Sequence, residues 1–500
     1  MNVSELTRRR FLATAAASAA SAWLAGCATR RDDSARPRPR SGPAFAQPAI
    51  LSSRAGRLAV ELKAASVEVP WGESTRHAYT YNGTTPGPTL VVRPGDQLVI
   101  ELSNELDADT NLHTHGLHVS PSGEGDNVFV RVPPGESRTY VYDLPTDHRS
   151  GLFWYHPHAH GTVAEQVAAG LAGAIVVLDH IDDITEIASS SERIWILSDP
   201  PIGDRDHLVA VSPMDAMVGR EGDTVLVNGI ERPDLAVRAG TLERWRILNA
   251  SPSRYYRLAL DGHSPSVIAT DGGRLRRPVP RDETLLAPGE RCELLISPTR
   301  AGTYSLRALP YDRGNTGMGP GMMGGQRASS GSARRETVVA TMTVTGEADP
   351  APMPATLADP DLLTAPAPST SRILELGMGM GMGAGMLGAR GAPMMAFTID
   401  GKTFSPDRTD ITVAAGTTEE WVIRNATPMD HPLHLHVWPF LLASPTTDGE
   451  AGWKDTVNIP AGETVRIVVP FTGITGRTVY HCHILDHEDL GMMGVIDITE

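Results

Sequence analysis

Two sequence themes each occur three times, and together they leave few folds open to this chain. The first theme is YNGTTPGPTLVVRPGDQLVIELSNEL at 81–106, VNGIERPDLAVRAGTLERWRILNAS at 227–251 and IDGKTFSPDRTDITVAAGTTEEWVIRNAT at 399–427. Each copy has a polar-Gly turn, a strand, a second Gly turn and an alternating strand that ends in Asn and a polar break. The second theme is VRVPPGESRTYVYDLP, then LLAPGERCELLISPTRAGTYSLRA, then VNIPAGETVRIVVPFTG. Alternating Val and Ile between Gly and Pro turns read as half-buried strands, and many of them at short spacing read as a sandwich. An all-β chain of three Greek-key β-sandwich domains is expected, related by internal repetition. The pattern puts the domains at 47–182, 193–345 and 372–500. The acidic run IDDITEIASSSE and the Pro- and Ala-dense residues 348–371 are read as linkers.

Residues 1–46 are read as a targeting segment and a flexible tether. TRRRFLATAAASAASAWLAGC sets Arg8 and Arg9 before Phe11, Leu12 and a short Ala-rich apolar run, which resembles a twin-arginine export signal. The run is too short to span a bilayer by itself. Its end, Leu24-Ala25-Gly26-Cys27, looks like a lipoprotein box, which would lipidate Cys27 and tether the chain to a membrane. A periplasmic location follows from that reading, and export of an already folded chain suits a protein that must hold a cofactor. The cysteines are three, Cys27, Cys292 and Cys482, too few for a disulfide framework. Cys292, in GERCELLIS, is read as a small buried hydrophobe. A net charge of -15 makes the chain a poor nucleic-acid binder and tolerant of small cations.

Chemistry enters with YHCHILDHEDLGMM at 480–493. On an extended backbone His481 and His483 face one way and Cys482 the other. One thiolate between two imidazoles suggests two metal sites set back to back. His487 and Met492 follow where the chain can turn toward the cysteine side. Two imidazoles, a thiolate and a weak axial Met make a blue-copper electron-transfer site, and His431 can supply the second imidazole. The other histidines fall into NLHTHGLH, FWYHPHAHG and MDHPLHLHVW. The pairs His113/His115, His156/His158, His434/His436 and His481/His483 each put two imidazoles on one face, eight in all. Eight imidazoles on two domains fit neither a closed nor a one-open-position zinc site. Several redox metals beside a one-electron site imply a multi-electron reaction, with reduction of dioxygen to water the natural candidate. The middle domain has no such pair, holding only His207 and His263, and is read as a spacer.

These four motifs, all present and in order, resemble those of the multicopper oxidases, within them most closely the bacterial cuprous oxidases and spore-coat laccases. The resemblance covers nearly all of the chain after the export segment and implies three cupredoxin-like Greek-key β-sandwich domains. It also implies four coppers per chain. A type 1 copper would be held by His431, Cys482 and His487 with Met492 axial, and a type 2 copper by His113 and His434. A type 3 pair would be held by His115, His156, His158, His436, His481 and His483. Glu488 resembles the family's proton donor to the trinuclear cluster, and Asp126 the carboxylate near the type 2 copper. His160 matches a family position that is not a ligand.

The reductant is read from methionines. Nine of the 17 lie in NTGMGPGMMGG (Met318, Met322, Met323) and LGMGMGMGAGMLGARGAPMM (Met378, Met380, Met382, Met386, Met394, Met395). Interleaved glycines make these mobile loops rather than core stripes, and thioethers favour Cu(I). They look like the Met-rich insert of cuprous oxidases. Met429 resembles a methionine of the substrate Cu(I) site there. Thr427 stands where that site would want a carboxylate, and Asp430 is the substitute available. The expected partners are dioxygen and either Cu(I), in copper tolerance, or a small aromatic reductant such as a phenol. A copper-binding protein without catalysis is the reading from another class. A monomer that does not bind nucleic acid is expected.

Overall fold

The computed structural model describes residues 42–71, 74–178, 181–201, 212–314, 335–358, 363–379, 396–443 and 452–500. The export segment, Cys27 and Met318, Met322, Met323, Met380, Met382, Met386, Met394 and Met395 lie outside these residues.

The repeat builds the same corner three times. Asn82-Gly83, Asn228-Gly229 and Asp400-Gly401 all take positive φ, between 52° and 78°. Two consecutive left-handed residues make the tight hairpin turn that Asn-Gly and Asp-Gly favour. Each turn's side chain then reaches a neighbouring strand. Asn82 Oδ1 accepts from Lys63 N at 2.7 Å, Asn228 Oδ1 from Ile196 N at 2.9 Å and Asp400 Oδ1 from Glu375 N at 2.8 Å.

The Asn that closes the theme recurs in the same way. Asn104, Asn249 and Asn425 are buried. Each donates Nδ2 to one carbonyl four or five residues on and to at least one more distant in the chain, and accepts the N–H two residues on: Leu106, Ser251 and Thr427, all at 3.0 Å. A buried amide that satisfies three backbone groups at a strand end removes their desolvation cost. In the third copy the carbonyls belong to Met429 and Ile459, so the repeat itself fixes the backbone two residues before His431.

Each domain also pairs an early strand in parallel with the strand that carries this Asn at or near its end. The pairs are Arg57–Trp71 with Gln97–Glu105, Ser191–Ser198 with Glu243–Asn249, and Thr370–Gly379 with Thr417–Asn425. Parallel neighbours require a crossover, which gives the Greek-key connection. Three apolar cores lie between paired sheets, one per domain, as the alternation predicts.

The segments read as connectors are built into these domains. The end of the expected tether is ordered: Ala44 bridges Asp234, and Phe45 packs on Trp195 at 4.7 Å between ring centroids. The first linker forms a short helix at Thr185–Ala188, and its Asp182 joins Arg244 and Arg246 at 2.6 and 2.8 Å. In the second, Leu357 and Ala358 are buried, and Leu357 packs with Ile181 and Ile187. Compact domains bury connectors that carry apolar side chains, even in Pro-rich runs.

Candidate metal centres

Strand pairing brings the histidines together. His113–His115 lies antiparallel to Gly151–His156, with His113 opposite His156. In the third domain His431–Leu435 lies antiparallel to Gly476–Cys482, with His434 opposite His481 and Leu433 opposite Cys482. The two halves meet where the helix Val163–Ala168 packs on the helix Leu485–Asp489 through Val163, Ala164, Val167 and Leu485. Asp489 Oδ1 and Oδ2 accept the N–H groups of Gly161 and Ala164 at 2.7 and 2.9 Å, so the third domain caps a helix of the first.

On the cysteine side, His431 Nδ1 is 3.4 Å from Cys482 Sγ, and His487 Nδ1 is 3.8 Å from it. The two Nδ1 atoms are 3.2 Å apart, and all three residues are fully buried. The opposite nitrogens are committed. His487 Nε2 bonds the Met217 carbonyl at 3.2 Å, and a carbonyl can only accept, so Nε2 carries the proton and Nδ1 the lone pair. His431 Nε2 lies 2.8 Å from Thr427 Oγ1, whose own hydrogen has acceptors in Asn425 Oδ1 and the Met429 carbonyl. Met492 is buried in the same apolar cluster as Cys482, and its backbone carbonyl accepts from Cys482 N at 3.0 Å. Phe397 stacks on His487 at 3.9 Å. Burial lowers His431 to about 3, with the Arg313 charge adding to it, and burial pushes the Cys482 thiol up. Two neutral imidazoles and a thiol that only a cation would ionise are the chemistry of a soft-metal site.

On the other face eight imidazoles pack within van der Waals range, all essentially inaccessible. Buried ring nitrogens of the cluster left without partners are His113 Nε2, His434 Nε2, His115 Nδ1, His156 Nε2, both nitrogens of His483, and His436 Nδ1, which faces Asp126 Oδ2 at 3.7 Å. Three Nε2 atoms converge, with His481 Nε2 lying 3.2 Å from His158 Nε2 and 3.0 Å from His436 Nε2. The far nitrogens are held by Asp126 for His113, the Asp455 carbonyl for His434, the Pro157 carbonyl for His156 and the Cys482 carbonyl for His481, at 2.8–3.1 Å. Orphaned donors are costly unless something coordinates them, and outer partners that fix each tautomer are what a metal-binding imidazole requires. Groups of three donors close enough to share one ion include His158/His436/His481 and His431/Cys482/His487. The residues present fit copper ions at both places.

Glu488 Oε2 lies 3.0 Å from His481 Nδ1 and Oε1 3.5 Å from His158 Nε2, with neither oxygen in hydrogen-bonding geometry. Burial raises its carboxyl to about 7, partly opposed by His158. It can therefore hold a proton at neutral pH beside the cluster. His160 packs on Phe404 instead of joining the cluster. Cys292 lies in the middle domain's core, as read.

Three expectations change. Met378 is not in a mobile loop; it lies in the strand Thr370–Gly379, opposite Phe397, because its side chain packs on the third core. Met429 and Asp430 do not form an accessible cation site. Met429 is fully buried in that core, and Asp430 accepts from Tyr311 Oη, Asn458 Nδ2 and Ala461 N. The middle domain is more than a spacer, since Met217, Gly289 and Arg291 touch or back the ligands. Sequence reasoning also missed Asp455 and Thr456, in WKDTV, because nothing in their spacing sets them apart from a strand start.

Comparison with known proteins agrees with this geometry. Family models described as multicopper oxidase match residues 63–181, 205–323 and 384–500. A multicopper oxidase of Staphylococcus haemolyticus is 31% identical over 435 residues, covering 84% of this chain and 83% of its own. The laccase of Bacillus subtilis is 29% identical, covering 84% and 90%. A solved multicopper oxidase of Campylobacter jejuni, described as a metallo-oxidase, superposes with a TM-score of 0.79 at 29% identity over 92% of this chain and 96% of that one. The chain belongs to the multicopper oxidase family, copper-containing oxidoreductases that join a reducing substrate to dioxygen.

Proposed function

We propose that this chain oxidises Cu(I), in a copper-tolerance role, and passes the electrons to dioxygen, which leaves as water. The observation that carries this reading is where the two methionine-rich segments are rooted. One joins Gly379 to Ala396 in the chain, next to Met378 and Phe397, which face each other across a strand pair, and Phe397 stacks on His487. The other follows Gly314, which bridges Met429, two residues from His431. Both segments are thus tied to the backbone beside the His431–Cys482–His487 pocket, where thioethers could hand over Cu(I). The metallo-oxidase of Campylobacter jejuni is a relative of matching kind.

In this reading His431, Cys482, His487 and Met492 would hold a type 1 copper. His113 Nε2 and His434 Nε2 hold a type 2 copper. His115, His156 and His483 hold one of the type 3 pair, and His158, His436 and His481 the other. Bound copper supplies one-electron acceptance at the first place and four-electron reduction of dioxygen at the second. The protein's part is to connect and to protonate. Cys482 shares a backbone with His481 and His483, so one strand is the bond path between the two places. Glu488 holds a proton 3.0 Å from His481 Nδ1 and releases it inward, and Asp126 fixes His113 as the Nε2 donor. The export segment would carry the folded monomer to the periplasm, with Cys27 as its lipid anchor; lipid labelling unchanged by Cys27→Ser would refute the anchor.

A second reading, oxidation of phenols or aromatic amines, draws on the laccase relatives. Its weakness is that His487 is fully buried beneath Met217. The deciding experiment is oxygen uptake with Cu(I) and with a bulky phenol, before and after deletion of residues 380–395. Loss of Cu(I) oxidation with phenol oxidation kept or raised is the expected result. Equal survival of both would overturn the cuprous assignment and favour the second reading.

A further inference from the structure

Of the cluster histidines, His115 is held the other way round. Its neighbours His113, His156, His434 and His481 bond outward through Nδ1, whereas His115 bonds outward through Nε2 and leaves Nδ1 without a partner. Nδ1 sits next to the chain, so aiming it at a metal requires the ring to be pinned at its far end. Asp455 Oδ1 at 3.0 Å and Thr456 Oγ1 at 3.1 Å do this.

Asp455 is in turn gripped by Arg291 of the middle domain. Nη1 reaches Oδ1 and Nη2 reaches Oδ2, each at 2.6 Å, a two-pronged pair with neither residue more than 1% exposed. Arg291 Nε also donates to the Leu152 carbonyl of the first domain at 2.8 Å. The pair lies against Gly116, directly after His115; a Cβ there would collide with Asp455 Oδ2 and come within 2.7 Å of Arg291 Nη2. The Asp455 carbonyl meanwhile takes His434 Nδ1 at 2.9 Å. One ion pair therefore touches all three domains and the outer nitrogens of two cluster imidazoles.

We infer that Arg291 and Asp455 are positioning residues of the trinuclear cluster: the guanidinium fork locks the carboxylate, which sets the tautomer and tilt of His115 so that Nδ1 is its donor atom. The role assigned to the middle domain is to complete the cluster from behind, at an atom no histidine motif reveals. This rests on the ligand reading proposed above. A forked, doubly bonded Arg–carboxylate pair has a geometry Lys cannot reproduce, which supplies the test.

The full chain is stripped and reloaded with copper as wild type, Arg291→Lys, Asp455→Asn and, for comparison, Arg244→Lys. Arg244 belongs to the middle domain's own buried ion network with Glu293 and Asp182. Copper per chain, the blue absorption, the near-ultraviolet band of the coupled copper pair and the melting temperature are recorded. Arg291→Lys and Asp455→Asn are expected to keep the blue absorption and lose the coupled-pair band, with cluster copper released to a chelator about 10–100-fold more readily. Arg244→Lys is expected to lower the melting temperature alone. If both site variants behave like Arg244→Lys, the pair is a structural interdomain tie and the inference fails. Wild type that loads blue copper but shows no coupled pair would instead bring down the ligand assignment, and this inference with it.

Discussion

The two copper places share the three residues His481-Cys482-His483, yet they are supported in opposite ways. Every proposed ligand of the cysteine site comes from residues 431–492, and Cys482 and Met492 lie in one domain's apolar core, with His487 Nε2 bonded to the Met217 carbonyl of the middle domain. The cluster draws four histidines from the first domain and four from the third, and Arg291 of the second stands behind them. The first site takes its ligands from one domain, and the second takes them from two. Core packing should protect the former, whereas the latter should answer to anything that moves one domain against another.

That contrast can be broken from either side. Cys482→Ser should abolish the blue absorption and oxygen uptake while cluster copper is retained, checked by metal content and visible spectroscopy; loss of all copper would mean the two sites assemble as one. Glu488→Gln should leave both spectra in place and lower oxygen uptake on the order of 10²–10⁴-fold. Unaltered turnover would remove Glu488 from proton delivery.

Acid should act on both places, since burial also lowers His431 of the cysteine site to about 3. Burial holds His158 at about 3 and His436 and His481 at about 4, against an ordinary 6.5. A lowered imidazole binds protons in the unfolded chain before it does so in the fold. Stability of copper-stripped protein is therefore fully present above pH 6.5 and lost as pH falls toward 4, on the order of 1 kcal/mol per pH unit for each such histidine. Melting temperatures across that window measure it, and a flat profile would contradict the burial argument. The smallest change is Gly289→Ala. Gly289 has φ +83°, and a Cβ there would come within 2.9 Å of the His483 ring. About 1–3 kcal/mol of backbone strain is expected, with the coupled-pair band disturbed and the blue absorption intact.

How much could be read from the chain follows the same division. The three sandwiches were legible because turn and alternation are local patterns, and the repeated Asn-Gly and closing Asn perform the same bonds each time. The histidines and the cysteine that the fold brings together stand in the chain as four spaced pairs and a single Cys482. What supports them was not legible: Asp455 and Arg291 are ordinary letters in WKDTV and GERCELL, 164 positions apart in the chain, and only folding makes them neighbours. Met217 contributes a backbone carbonyl, which no side-chain pattern can announce. Met378 misled for a different reason. Its Gly-rich surroundings suggested a loop, but pairing with Ala396–Ile399 and a core contact outweighed the low strand preference of glycine.

The place of Gly476–Cys482 in its sheet has a consequence for assembly. This strand lies between Met493–Thr499 and His431–Leu435, and it follows every first-domain histidine in chain order. The first domain alone carries only four of the eight cluster histidines, His113, His115, His156 and His158. The half-site closes only when a strand more than 300 residues later slots into the middle of its sheet. A chain that stops before Thr478 lacks His481, Cys482 and His483, and with them the strand that the two places share.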